Sequence, residues 1–388
     1  MEKPKIRFLK NKHSWVRNTF EEIAKRRTKS SDNPDLPRIE YQDIISGEGR
    51  LNKNLNKNID CRKGIVFETN DILYGKLRPY LKNWLHPNFN GIALGDFWVL
   101  QARNCDSKFL FSLVQSTKFQ RVANDTSGTK MPRSDWKTVS QTEFSIPTSN
   151  DEQSAIGSLF RTLDDLLASY KENLANYQSL KRTMLSKMFP KAGQTVPEIR
   201  LDGFEGEWTK KRADEIFKSV SEKNRASLPV LSASQIDGMV LRDEIGIDIK
   251  YDEAALNNYK VVKPGQFVIH LRSFQGGFAL SKLEGITSPA YTIIDFIDKK
   301  NNIPDFWNSI LTSRDFIKRL ETVTYGIRDG KSISFKDFSS LKFVYPSLEE
   351  QQAIGTYFSN LDNLIAAHQE KISQLETLKK KLLQDMFI

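Results

Sequence analysis

Adjacent carboxylates are the usual hardware of general acid–base catalysis. This sequence carries such a pair in Leu163–Asp164–Asp165. The stretch recurs at an offset of 198 residues as Leu361–Asp362–Asn363, so the pair is not kept. The four histidines, His13, His86, His270 and His368, are scattered. Only His270 lies in a strand-like run, where it reads as a core or edge residue. Two cysteines, Cys61 and Cys105, have no paired spacing, which argues against a disulfide framework and a Cys-based zinc site. No Walker A loop, GxGxxG, HExxH or GxSxG is present, nor the N-P-P-Y or D-P-P-Y of amino-methyltransferases. No catalytic residue and no metal site are expected.

The residues that could do chemistry are instead those that grip a polyanion. Formal net charge is +10 and the pI is about 9.3, a balance that suits nucleic acid. Two small polar loops combine glycine with cations: TSGTKMPRSDWK, residues 126–137, and TYGIRDGKSISFKD, residues 324–337. Glycine lets the backbone approach closely. Lys130, Arg133, Arg328 and Lys331 can meet phosphates or the acceptor edge of guanine. Thr129, Ser332 and Asn124 can bond phosphates or base edges. One such loop reads as a solvated turn; for two at matching positions in a basic protein, contact loops and solvated turns both stay open. GKLRPY, with Lys76 and Arg78, faces IHLRSF, with Arg272. Two readings stay open for these arginines: contact with nucleic acid, or structural ion pairing.

The elements that must position these loops come from a repeat. Glu152–Phe189 and Glu350–Phe387 share 16 of 38 positions without gaps, among them the run EQ.AIG. Weaker similarity extends upstream, matching Trp15 to Trp208. The chain is thus two copies of one unit, each a divergent body and a well-kept tail. The tails do one shared task and the bodies two different ones.

Each tail has helical, heptad spacing. The first places Phe160, Leu163, Leu167, Tyr170, Leu174 and Tyr177 at a and d; the second places Phe358, Leu361, Ile365, His368, Ile372 and Leu375. The next a position holds Lys181 in one and Lys379 in the other, a polar residue able to fix register. Helices of this length span roughly 50–55 Å, and so long an apolar stripe needs a partner, the nearest being the other tail. Antiparallel pairing is predicted. Each body mixes short strands with an amphipathic helix, SKFLFSLVQSTKFQRVAND in the first and PDFWNSILTSRDFIKRLETV in the second. The predicted class is α+β: two repeated α/β domains separated by an antiparallel pair of long coiled-coil helices. The expected boundaries are residues 1–147 and 205–345 for the bodies, 148–190 and 346–388 for the helices, and 191–204 for a linker. The N-terminal stretch has no apolar run of signal type and no segment approaches 18 apolar residues, so a cytoplasmic protein is expected.

Two divergent bodies, each followed by a kept helix of the form P…EQ.AIG..F..LD.L, resemble the specificity (S) subunit of type I restriction–modification enzymes. The resemblance covers the whole chain. It implies that each body is a target recognition domain reading a few base pairs in one half of a bipartite site on double-stranded DNA. It implies that the helices set the gap between half-sites. Two methylation subunits, which bind S-adenosylmethionine and methylate adenine, would dock on the helices, and restriction subunits using ATP and Mg would join them. The S subunit itself does no chemistry and carries no cofactor. Two modules on a pseudo-two-fold frame would meet half-sites centred about 10 bp apart. Alternatives are the specificity subunit of a related bipartite-site system and a non-catalytic two-domain coiled-coil scaffold.

Overall fold

The structure, a computed structural model, describes residues 4–8, 14–52, 61–125, 130–234, 237–245, 253–270, 277–323 and 334–387. It has the α+β class expected. Two compact units divide the chain: Met1–Leu174 with His368–Ile388, and Ala175–Ala367.

The first unit is built on an antiparallel sheet ordered Ala24–Arg26, Phe97–Ala102, Ile72–Gly75, Trp84–Leu85. A second four-stranded sheet contains Gly64–Phe67 and Gly91–Ala93. Trp15–Thr19 pairs antiparallel with Glu143–Pro147, so the chain enters beside the strand that leads into the first long helix. The second unit repeats this plan, with the sheet ordered Phe217–Val220, Thr292–Phe296, Phe267–Ile269, Phe278–Leu280. Thr209–Arg212 pairs with Lys342–Tyr345 as its entrance.

One expectation fails in both bodies. The amphipathic segment of each is two helices: Ser107–Gln115 and Thr117–Ala123 in the first unit, Pro304–Leu311 and Arg314–Val323 in the second. The cause is a serine at the joint. Ser116 is extended (φ −61°, ψ 153°) and its side chain accepts from the Phe119 amide, so it caps a new helix. Ser313 accepts from the Phe316 amide in the same way, at 3.2 Å.

The long helices run Asn150–Lys187 and Leu348–Asp385. Each unit holds the start of its own long helix and the end of the other copy's. In the first unit Lys379 Nζ lies 2.6 Å from the Asp164 carboxylate and Lys171 Nζ 2.8 Å from Glu376, which makes the two segments antiparallel. In the second unit Lys181 pairs with Asp362, the same pair with the copies exchanged. Phe160 and Phe387 pack at 5.8 Å in the first unit, and Phe358 and Phe189 at 6.0 Å in the second. Leu163, Leu167, Leu361 and Leu375 are buried, Tyr170 and Ile372 pack on the first unit's core, and Tyr170 meets His368 at 5.3 Å. Leu174, Tyr177 and Ile365 are half-buried.

The repeated EQ.AIG run closes each unit. Glu152, inaccessible to solvent, accepts a two-pronged bond from Arg7 at 2.6 and 2.7 Å, plus the Trp15 indole N–H at 3.2 Å. Glu350 is held by Arg200 at 2.7 and 2.6 Å. Gln153 donates to the Pro147 carbonyl and accepts from the Asp106 amide, tying the strand end to the cap of the helix Ser107–Gln115. Gln351 does the same between Pro346 and Ile303.

The glycine of the run permits close helix approach. A Cβ on Gly157 would lie 2.6 Å from the Phe109 amide nitrogen and from Lys108 Cβ, whereas on Gly355 it would lie 2.9 Å from the Phe306 nitrogen. Gly157→Ala is therefore expected to lower stability by about 1–3 kcal/mol through overpacking. Gly355→Ala should lose less, part of its strain being offset by alanine's better helix propensity. Urea denaturation of both variants, followed by circular dichroism, checks the ranking.

Candidate nucleic-acid interface

The first unit's candidate face begins where a buried strand runs out. Ile72, Leu73 and Tyr74 are core residues. At Gly75 the chain leaves the sheet, with the Gly75 amide bonded to the Asn83 carbonyl at 2.7 Å. Between them Pro79–Leu81 makes one 3-10 turn, flanked by Arg78 (φ 50°, ψ 60°) and Lys82 (φ 53°, ψ 42°). Two non-glycine residues in the left-handed region store strain that neighbouring contacts must hold.

Those contacts come from residues 130–134. Leu77 and Arg133 form an antiparallel bridge. The Arg78 amide donates to the Pro132 carbonyl at 2.7 Å, and the Ser134 amide to the Lys76 carbonyl at 2.8 Å. Asp96 sits beneath, its carboxylate 2.7 Å from Arg133 and 3.7 Å from Lys76. The Tyr41 hydroxyl donates to the Asp96 carbonyl at 2.6 Å and accepts from the Leu77 amide at 3.2 Å. Burial pushes the Tyr41 pKa up to about 12, so the phenol remains a donor.

Lys76, Arg78 and Arg133 thus come together on one welded pair of loops, with Lys130 three residues from Arg133. Segments 75–83 and 130–134 contain five cations, Lys76, Arg78, Lys82, Lys130 and Arg133, of which Lys76 and Arg133 reach the carboxylate of Asp96. The two readings of Arg78 separate here: Lys76 and Arg133 are the ion-paired residues, and exposed Arg78 has no ion-pair partner among the described residues. Asn124 is turned inward, its amide donating to the Gln120 carbonyl at 2.7 Å as part of a helix end. Thr129, Arg272, Arg328, Lys331 and Ser332 lie outside the described residues. Lys82 carried no sequence signal of its own; its place in the loop comes from the return of the chain to Trp84–Leu85.

The helix pair shows a second kind of surface. Leu166 (42% exposed) and Leu180 (39%) each precede an a residue, as do Leu364 (44%) and Leu378 (45%). All four are identities of the repeat. They are g positions, flanking the buried seam. The Asp164–Lys379 pair sets Leu166 level with Leu378 in the first unit, and Lys181–Asp362 sets Leu180 level with Leu364 in the second.

No group of three or more His, Cys, Asp or Glu that could hold a metal occurs among the described residues. Burial pushes the Cys105 thiol up to about 12, and burial lowers the pKa of His270. His86 stacks on Phe111 at 5.4 Å; burial, then the nearby Arg161 charge, lowers its pKa to about 4. An unfolded histidine takes its proton near pH 6.5. Between these values the unfolded state binds more protons, so stability falls as pH drops from about 6.5 to about 4. The expected slope from this residue is no steeper than about 1.4 kcal/mol per pH unit. His86→Phe should flatten that part of a stability-against-pH curve.

Among the described residues no helix is long and apolar enough to cross a membrane. Residues 205–377 match the family model of the type I restriction modification DNA specificity domain. The type I restriction enzyme MjaVIII specificity subunit of Methanocaldococcus jannaschii is 25% identical over 350 residues, spanning 83% of this chain and 79% of that protein. The EcoDI specificity subunit of Escherichia coli is 25% identical over 189 residues, 47% of this chain and 42% of that one. The crystal structure of the type I restriction–modification S subunit from M. genitalium shares the fold: TM-score 0.63 at 14% identity, over 100% of this chain and 99% of that one.

Proposed function

Because this chain belongs to the family of type I restriction–modification specificity subunits, we propose that it reads a bipartite DNA site, one half with each unit, and carries no active site of its own. The observation that carries this reading is the duplicated closure: Lys379–Asp164 and Lys181–Asp362 hold two unlike bodies on one repeated frame. Unlike bodies on like frames suit an asymmetric target read by a symmetric assembly.

In the first unit the cations around Arg78 supply sequence-independent, salt-dependent affinity. Base contacts from the same loops would each discriminate by about 1–3 kcal/mol. The matched leucine pairs, Leu166 with Leu378 and Leu180 with Leu364, support the docking of two identical methylation subunits, one at each pair. S-adenosylmethionine belongs to those subunits; ATP and Mg belong to the restriction subunits. None is assigned to this chain.

Methylome sequencing of a host strain with and without this gene tests the proposal. The expected result is one bipartite adenine-methylated motif that disappears with the gene. An unchanged methylome, together with no salt-dependent duplex binding by the purified chain and its methylation subunits, would leave the scaffold reading in its place.

A further inference from the structure

The first unit's contact face has an apolar tip that ion-pair recognition does not explain. Tyr80 is 56% exposed, Met131 55% and Leu81 39%. Large side chains left bare on a cationic face call for a partner that is both anionic and apolar inside. Duplex DNA fits: phosphates outside, stacked bases within. Tyr80 sits at the middle of the turn Pro79–Leu81, between the left-handed Arg78 and Lys82. Pro79 is buried and fixes the turn from below. The Arg78 amide bond to Pro132 and the Leu77–Arg133 bridge join the turn to the Lys130–Ser134 segment that carries Met131. The strained turn is therefore a rigid mount, and the ring it presents is not packed on the core.

The sequence adds an independent observation. In the matched segments GKLRPY and IHLRSF, Tyr80 faces Phe274, two residues after the matched arginines. The bodies have drifted widely, yet both copies place an aromatic ring at this offset from Arg78 and Arg272. Phe274 lies outside the described residues.

We propose that Tyr80 is a wedge: its ring enters a base step of the half-site read by the first unit and partly unstacks it, while the surrounding cations hold the flanking phosphates. Apolar and aromatic wedges of this kind kink DNA, and the cost of unstacking depends on the step opened. Tyr80 then contributes to specificity by the deformability of one step, without hydrogen bonding a base edge. This inference rests on the DNA-reading function proposed above.

The test uses the full chain with its methylation subunits and duplexes carrying the motif found by methylome sequencing. 2-Aminopurine replaces each base of the two half-sites in turn, and its fluorescence reports unstacking. The expected result is a rise at one step in the first unit's half-site, separate from the adenine that is methylated. Tyr80→Ala should abolish that rise and weaken binding about tenfold, with the salt dependence kept; Tyr80→Phe should retain both. Because Tyr80 is exposed, its variants should unfold at the wild-type denaturant midpoint, which checks that the fold is intact. Wild-type binding with no unstacked step outside the methylated adenine, or an unstacked step that survives Tyr80→Ala, overturns the wedge and leaves the DNA-reading function standing. Failure of the wild-type assembly to bind any duplex at low salt overturns both.

Discussion

Removing Asn173–Ser179 and Ile365–Lys371 together is expected to shorten the gap between the two recognised half-sites by about 3 bp and leave the half-sites themselves unchanged. Both segments lie between the ion pairs that set register, Asp164–Lys379 with Lys171–Glu376 in one unit and Lys181–Asp362 in the other. They are seven residues each and sit at matching levels of the antiparallel pair. One heptad is two turns, so the a and d faces stay in phase. Each helix loses about 10 Å, which corresponds to about 3 bp of duplex at 3.4 Å per step. Removing only one segment shifts a lysine away from its carboxylate in one unit or both, and the methylated motif should then vanish. Methylome sequencing of strains carrying the double and single deletions gives the answer; an unchanged gap in the double deletion would show that the helices do not set it.

The second large effect concerns stability. Arg7→Ala leaves the Glu152 carboxylate inaccessible to solvent with, among the described residues, only the Trp15 N–H as a side-chain donor. Breaking a buried pair in this way costs about 3–5 kcal/mol, because the stranded charge keeps its desolvation penalty. Arg200→Ala should do the same to Glu350, 1% exposed at its side chain. A surface control is at hand in Arg17 and Glu143, 3.8 Å apart and 59% exposed on both sides, where Arg17→Ala should change stability by about 1 kcal/mol or less. Guanidinium denaturation compares the three. Equal effects at Arg7 and Arg17 would mean that the buried pair adds nothing to closure.

Periodicity reached the long helices because heptad spacing is a local signal with a long run. Lys181 and Lys379 stood out as polar residues at a positions, but their partners did not. Asp164–Asp165 drew notice as a carboxylate pair that Asp362–Asn363 does not keep, whereas Asp164 and Asp362 each receive a lysine from the other copy. A salt bridge between residues 181 positions apart leaves no trace in spacing. The serine breaks at Ser116 and Ser313 were missed for the opposite reason: amphipathic character continues across them, and only the backbone torsion at the cap ends the first helix. At the first unit's candidate face, composition pointed to Lys76, Arg78, Lys130 and Arg133. It could not distinguish the cations tied to Asp96 from exposed Arg78, since Asp96 joins them only through tertiary contact. The EQ.AIG run was legible as important but not as to why; its glutamate, glutamine and glycine each act on a segment brought in from elsewhere in the fold.

The reciprocal lysine–aspartate closure also bears on the protein's ancestry. Asp164 and Lys181 are 17 residues apart on one helix, a rise of about 25 Å, and cannot meet each other. A polypeptide holding one copy alone would carry an open donor and an open acceptor, and a twin molecule would satisfy both at once. Such a half-length chain is self-complementary and should assemble as a two-fold homodimer, reading a palindrome. Gene duplication and fusion would turn that dimer into a single chain whose halves were free to diverge, and a palindromic target into an asymmetric one.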